Sequence, residues 1–204
     1  MDIERRDIVN KNFYVTTPIY YVNGDPHVGS AYTTIAADVM ARYKRTMGYD
    51  AYFLTGTDEH GQKVEETAKQ KGYTPQQWTD IMAPRFKEMW AKLGIEYSDF
   101  IRTTEPRHKE AVKKILKKVY ENGDIYKGEY SGKYCVSCET FVPENQIVNG
   151  NHCPDCGKEL RVVKEESYFF KMSKYQDALL EHIDKHPDFI LPRSRRNEVV
   201  SFIK

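Results

Sequence analysis

Phe13-Tyr-Val-Thr-Thr-Pro-Ile-Tyr-Tyr-Val-Asn-Gly-Asp-Pro-His-Val-Gly-Ser30 decides the fold. Phe13 to Thr17 reads as a buried strand, and Pro18 with the Asn23-Gly-Asp-Pro26 cluster forces a turn. From Ser30 to about Met47, Ile35, Ala36, Val39, Met40 and Tyr43 recur at helical spacing, with Gly48 placed to stop the helix. Ala51-Tyr-Phe-Leu54 is a second short apolar strand running into Thr55-Gly-Thr-Asp58. A helix from about Gln62 to Lys71 follows, capped by Gly72. Strand, helix, strand, helix in this rhythm predicts an α/β protein built on a doubly wound parallel sheet.

Thr74-Pro75 opens another helix to about Leu93, apolar at Trp78, Ile81, Met82, Phe86, Met89 and Trp90. Ser98 to Thr103 reads as a third strand. Glu105-Pro106 begins a helix to Glu121 with the stripe Val112, Ile115, Leu116 and Val119. From Asp124 the texture changes to Tyr- and Val-rich segments, Ile125 to Tyr134 and Leu160 to Met172, flanking four cysteines. These are the only cysteines of the chain, in two Cys-x-x-Cys pairs, Cys135 with Cys138 and Cys153 with Cys156. Two short knuckles of two thiolates each, joined by a loop that folds back, make a tetrahedral structural zinc site. The organisation expected is a first domain over 1–123, a small β-rich zinc insert over 124–172, and a helical return over 173–204. The return carries helices from Lys174 to Lys185 and from Arg195 to Lys204.

With 204 residues the chain can bury a proper core. Lys and Arg total 31 against 30 Asp and Glu, so charge argues neither for nor against nucleic acid. Residues 1–12 carry no apolar leader pattern, and no run approaches the ~20 apolar residues of a membrane span. A cytoplasmic protein without membrane contact is expected, and in that reducing compartment paired cysteines hold metal.

The turn from Pro18 to Ser30 lies between a strand and a helix, at the carboxyl edge of the predicted parallel sheet, where such folds bind ligands. His27 and Ser30 stand three apart at the helix start and can face one anion, and Gly29 between them lets a base or phosphate approach. The plainer reading of the string alone is a turn with a capping serine and an incidental histidine.

Longer strings carry a resemblance. Phe13 to Gly24, Ala36-Ala-Asp-Val-Met-Ala-Arg-Tyr43, Phe53-Leu-Thr-Gly-Thr-Asp-Glu-His-Gly61, the cysteine knuckles and Ser167-Tyr-Phe-Phe170 resemble the bacterial-type methionyl-tRNA synthetases, class I aminoacyl-tRNA synthetases. The resemblance covers essentially the whole chain. It implies the first half of a Rossmann-like nucleotide-binding catalytic domain over 1–123, and an activity that joins methionine to its tRNA through methionyl-adenylate. His27-Val-Gly-Ser30 stands where the family has His-Ile-Gly-His, so the resemblance makes His27 and Ser30 catalytic. It assigns Tyr20, His27, Gly29, Ser30 and Thr33 to ATP, and Pro18, Ile19, Tyr21 and Asp58 to methionine. A thioether suits an apolar, polarisable sleeve, and an α-ammonium needs an anion such as Asp58. Ser30 is shorter than the usual histidine and never charged, which implies a loss of ~1–2 kcal/mol in transition-state stabilisation. ATP enters as a substrate with Mg2+, one zinc is structural, and the partner is the acceptor end of tRNA.

Lys171-Met-Ser-Lys-Tyr175 imitates the family's second signature, Lys-Met-Ser-Lys-Ser, but stands directly after the zinc insert with Tyr175 in place of the final serine. It is read as a lead into a helix. The true signature loop, the second half of the sheet and the anticodon-binding domain are expected beyond Lys204, which leaves the isolated chain catalytically crippled. The basic run Arg107, Lys109, Lys113, Lys114, Lys117 and Lys118 reads as a solvated helix face rather than a tRNA surface. Two other functions compete: a non-catalytic truncated or split synthetase module that binds a partner or tRNA, and another class I synthetase with a zinc insert. The four-cysteine insert, far from the signature, speaks against the latter.

Overall fold

The computed structural model describes residues 11–204; most of the N-terminal stretch read above for a leader lies outside them. The described residues form two compact units, which divide between Lys113 and Lys114.

In the first unit β3 (Asp50–Asp58) is the central strand of a parallel sheet. One edge takes β1 (Asn12–Thr16) and then β2 (Tyr20–Tyr21); the other takes β4 (Asp99–Arg102). The fold class expected from the sequence is thus observed, with β3 longer than its apolar centre implied. Thr55, Gly56 and Thr57 are strand residues too, because β4 closes on them. At Gly56 a Cβ would stand 2.1 Å from the Ile101 carbonyl oxygen, so only glycine lets the two backbones meet there.

Thr16 faces Leu54 and Tyr20 faces Thr57, so Thr17, Pro18 and Ile19 together span Thr55 and Gly56. This one-residue slip breaks β1 from β2 where proline has no N–H to give. Thr17 seals the break: its N–H donates to Leu54 O (3.1 Å), and its hydroxyl meets that of Thr55 (2.7 Å).

Three helices, α1 (Val28–Thr46), α2 (Gln62–Gln70) and α3 (Pro75–Lys92), pack on one sheet face around Phe53, Trp90, Met82, Phe86 and Val64. The α3 face predicted from its apolar spacing is buried at Trp78, Met82, Phe86 and Trp90. Helix α1 corrects the sequence reading. Its buried residues are Ser30, Thr34, Ala37, Asp38 and Ala41, whereas Val39 is 60% and Tyr43 56% exposed. The helical period was legible but its phase was not, since close approach to the sheet demands small side chains. Asp38 is satisfied by Arg42 (2.6 Å) and by the Glu96 N–H (2.9 Å). No residue of α4 (Pro106–Glu121) is buried: of its predicted apolar stripe, Val112, Ile115 and Leu116 are exposed and Val119 is half-buried.

The second unit holds an antiparallel sheet in the order β6-β5-β7: β5 (Ile125–Cys135), β6 (Thr140–Val142) and β7 (Arg161–Phe170). One face of β5 alternates Tyr126, Gly128, Tyr130, Gly132 and Tyr134, and rings of Phe169 and Phe141 lie against the tyrosines. Helices α5 (Gln176–Lys185) and α6 (Arg193–Ile203) follow. No helix among the described residues is long and apolar enough to cross a membrane.

Candidate functional site

The turn after β1 lines a hollow of about 430 Å³ in the first unit. Its walls include Pro18, Ile19, Tyr20, Tyr21, His27 and Ser30. Phe86 of α3 completes them, and so do Asn23, Gly24 and Asp25, none of which is a site residue on sequence grounds. The periodicity of α3 marks Phe86 as core, and nothing in it signals that the ring also faces a cavity. The segment is pinned from outside: the Trp78 indole N–H donates to Val22 O (2.7 Å), and Arg85 pairs with Asp25 (2.7 Å).

Tyr20 forms the floor. Its ring stacks on Phe86 at 5.9 Å and meets Trp90 at 5.7 Å, while its hydroxyl bonds Thr34 Oγ1 (2.8 Å) and donates to Ser30 O (3.2 Å). Ile19 and Tyr21 remain accessible beside it. The parallel register sets Tyr21 next to Asp58 at the carboxyl end of β3, so two residues 37 positions apart become neighbours.

His27 is the N-cap of α1. Its Nδ1 accepts the Gly29 N–H (3.1 Å), and the ring folds so closely over Gly29 that a Cβ there would lie 2.9 Å from its Cε1. The Ser30 hydroxyl accepts the His27 N–H (2.9 Å) and donates to His27 O (2.8 Å), which closes a capping box. Ser30 is only 5% exposed, so its hydroxyl serves the start of the helix rather than standing free toward an anion. Gly29 is wanted first by the histidine ring, a reason distinct from ligand approach. Thr33 turns its hydroxyl back to Gly29 O (3.2 Å). What α1 presents to the hollow is its positive end, behind an imidazole whose Nε2 is outside the cap.

In the second unit the four cysteines converge, with all sulfurs within 4.8 Å of one another. Cys135 and Cys156 Sγ are 3.4 Å apart, Cys138 and Cys153 3.8 Å. A tetrahedron with metal–sulfur bonds of ~2.3 Å has edges of ~3.8 Å, so the donor set matches a four-coordinate soft cation. Cys135 and Cys153 are wholly buried, and with Val142 and Leu160 they are the local core. The Cys138 N–H points at Cys135 Sγ (3.4 Å), and Gly157 (φ +68°) turns the second knuckle. The Lys158 N–H lowers the Cys156 thiol to about 7. Cys138, hydrogen-bonded to Cys156 and shielded, is pushed up to about 12.

The imitation signature is tied down structurally. Lys171 Nζ donates to Gly123 O (2.8 Å), and Lys174 and the Tyr175 hydroxyl both bind the buried Asp124 carboxylate. Neither lysine is spare for a leaving group. In the basic run, Arg107 pairs with Asp99 and Glu105, Lys113 with Glu110, and Lys117 with Glu121.

A helix start facing a hollow at the carboxyl edge of a parallel sheet is the framework on which nucleotide-binding folds place their ligands, and a four-thiol knuckle stands in the second unit. The chain belongs to the class I tRNA synthetase family designated M, whose model matches residues 13–161. It is 74% identical over 196 residues to the methionine–tRNA ligase of Fusobacterium nucleatum, covering 96% of this chain and 31% of that protein. The methionine–tRNA ligase of Thermotoga maritima is 53% identical over 195 residues, covering 94% and 31%. The methionyl-tRNA synthetase of Mycobacterium tuberculosis, solved with methionyl-adenylate bound, superposes with a TM-score of 0.90 at 44% identity, over 95% of this chain and 39% of that one. The chain thus spans about a third of the length of the curated relatives it matches.

Proposed function

We propose that this chain is the N-terminal part of a methionine–tRNA ligase, an enzyme that activates methionine with ATP and transfers it to tRNA. The observation that carries the reading is the pairing of Asp58 with Tyr21, which lines the hollow together with His27 and Ser30, in a chain so similar to an adenylate-bound synthetase. The Asp58 carboxylate receives the α-ammonium of methionine. Pro18, Ile19 and the Tyr21 ring flank its thioether side chain, where apolar and polarisable surface is needed.

ATP lies against Tyr20, His27, Gly29, Ser30 and Thr33, with its phosphates toward the α1 N-terminus. The methionine carboxylate attacks the α-phosphorus, a P–O bond forms, and pyrophosphate departs with the electrons of the broken bond. The pentacoordinate phosphate gathers negative charge, which the helix dipole and the His27 imidazole stabilise. The contribution of Ser30 is indirect, through the capping box that fixes His27. Mg2+ accompanies ATP as substrate. In the second step the tRNA acceptor end takes the methionyl group; a cytoplasmic site of action accords with that partner.

Cys135, Cys138, Cys153 and Cys156 would hold one zinc ion. Four thiolates leave no open position for a reacting water, so its role is to fold the knuckles. The test is methionine-dependent ATP–pyrophosphate exchange by the full-length protein. Asp58→Ala is expected to raise the methionine KM far more than the ATP KM, and an equal loss of both would refute the assignment.

A further inference from the structure

The side chain of Glu59 is wholly buried, though it directly follows Asp58. A buried carboxylate is costly unless every oxygen is partnered, and this one is. Oε1 accepts from the Thr57 hydroxyl (2.7 Å) and from Arg102 Nε (2.7 Å), and Oε2 from the Thr104 hydroxyl. The main chain is tied to the same place. The Glu59 N–H donates to Thr103 Oγ1 (2.8 Å), the Thr103 N–H to Thr57 O (3.3 Å), and His60 Nε2 lies 3.2 Å from Thr103 O. Both neighbours of Asp58 are therefore fastened to the end of β4. Arg102 reaches on to α3, where Nη2 donates to Asp80 (2.7 Å) and to the Thr79 hydroxyl (3.4 Å). A guanidinium can bridge two carboxylates on different elements with fixed angles; an ammonium cannot.

A buried ion pair is a poor source of stability beside apolar residues of equal volume. What it supplies here is direction, at the one point of β3 from which the proposed ammonium ligand projects. We propose that Glu59, backed by Arg102, is a positioning residue that aims the Asp58 carboxylate and so sets affinity for the substrate's α-ammonium group. The inference rests on Asp58 being that ligand.

The test uses the full-length protein and a cycle of variants in pyrophosphate exchange, with tryptophan-fluorescence unfolding to verify that each folds. Glu59→Gln keeps size and acceptor but removes charge. It is expected to raise the methionine KM roughly tenfold, with the ATP KM changed less than about twofold. Arg102→Lys keeps the charge, loses the bridge, and should move the same parameter less. In Asp58→Asn/Glu59→Gln the second change should add nothing, because Glu59 acts only through Asp58. Additive effects, or equal rises in both KM values, would overturn the inference and leave Glu59 a structural residue. If Asp58→Asn alone leaves the methionine KM unchanged, the ammonium reading falls, and this inference with it. If Asp58→Asn raises that KM and Glu59→Gln does not, the positioning role alone is lost.

Discussion

The two units reach order by different physical routes. The first buries Phe53, Trp90, Met82, Phe86 and Val64 between a parallel sheet and three helices, and apolar area holds it together. In the second, the cluster around the knuckles comprises Cys135, Val142, Cys153 and Leu160, two of which are metal-ligand candidates. A unit with so small a core needs a staple. The contrast teaches that sites differ in what disturbs them: a pocket built on packing answers to volume, a knuckle built on thiolates answers to a chelator.

Both tryptophans, Trp78 and Trp90, belong to the first unit, so their fluorescence reports it alone. The largest expected effect is metal removal. Structural zinc in small modules contributes an apparent ~10–16 kcal/mol. Cys153→Ser, or a strong chelator, should abolish stoichiometric zinc and expose the knuckle to trypsin while the tryptophan transition stays in place. A transition that moved with the metal would break the comparison. Next comes Phe53→Ala, expected to cost ~3–5 kcal/mol in denaturant unfolding followed by tryptophan emission, with zinc content unchanged.

A third effect belongs to the second unit and depends on pH. The Lys174 ammonium, and then the Tyr175 hydroxyl, hold the Asp124 carboxyl below the usual carboxylate range. A lowered native pKa contributes stability that is complete above the unfolded value of about 3.9, and is lost as pH falls through the native one. Asp124→Asn should therefore be destabilising at neutral pH, and its difference from the parent should shrink in acid below about pH 4. A difference that stayed constant with pH would show that the charge is irrelevant. The smallest effect is Thr74→Ala at the N-cap of α3. It removes one half of a capping box with Gln77 and should cost ~1 kcal/mol by the same tryptophan readout.

Much of this was legible in the sequence, for reasons that differ by element. The cysteine knuckles were plain because thiolate spacing and metal geometry are local. Helix α3 was plain because one face is large and apolar. Strands β1 and β3 were legible as short β-rich runs. Strand β1, expected to be buried, is an edge strand with only Phe13 and Val15 half-buried, and the buried face of β3 is Ala51, Phe53, Thr55 and Thr57. The buried face of α1 was not: Ser30, Thr34, Ala37 and Ala41 are small, and their burial follows from how near the helix must lie to Phe53 and its neighbours. The two-residue strand β2 was hidden because only pairing with Thr57 and Asp58 makes it a strand. Tyr21, which lines the hollow, and its strand neighbour Asp58, which does not, came from family strings, whereas the placing of Phe86 in the hollow and the Asp25–Arg85 pair exist only once α3 folds over the turn.

The slip at Pro18 has a consequence for how the chain can change in length. On strands, parity decides which side chains point inward. Were β1 to continue in register, Ile19 would stand opposite Thr57; three residues spanning two put Tyr20 there instead, its ring on Phe86 and Trp90. Segment 17–19 is outwardly a loop, and loops ordinarily accept insertions. Here, with the slip kept, the gain of one residue ahead of Ile19 would exchange floor for rim, sending the tyrosine out and the isoleucine in, whereas the loss of one would remove the slip and leave Tyr20 opposite Thr57. A gain of two would restore the alternation. The stretch is a counting device, and its arithmetic, more than its composition, is what must be preserved.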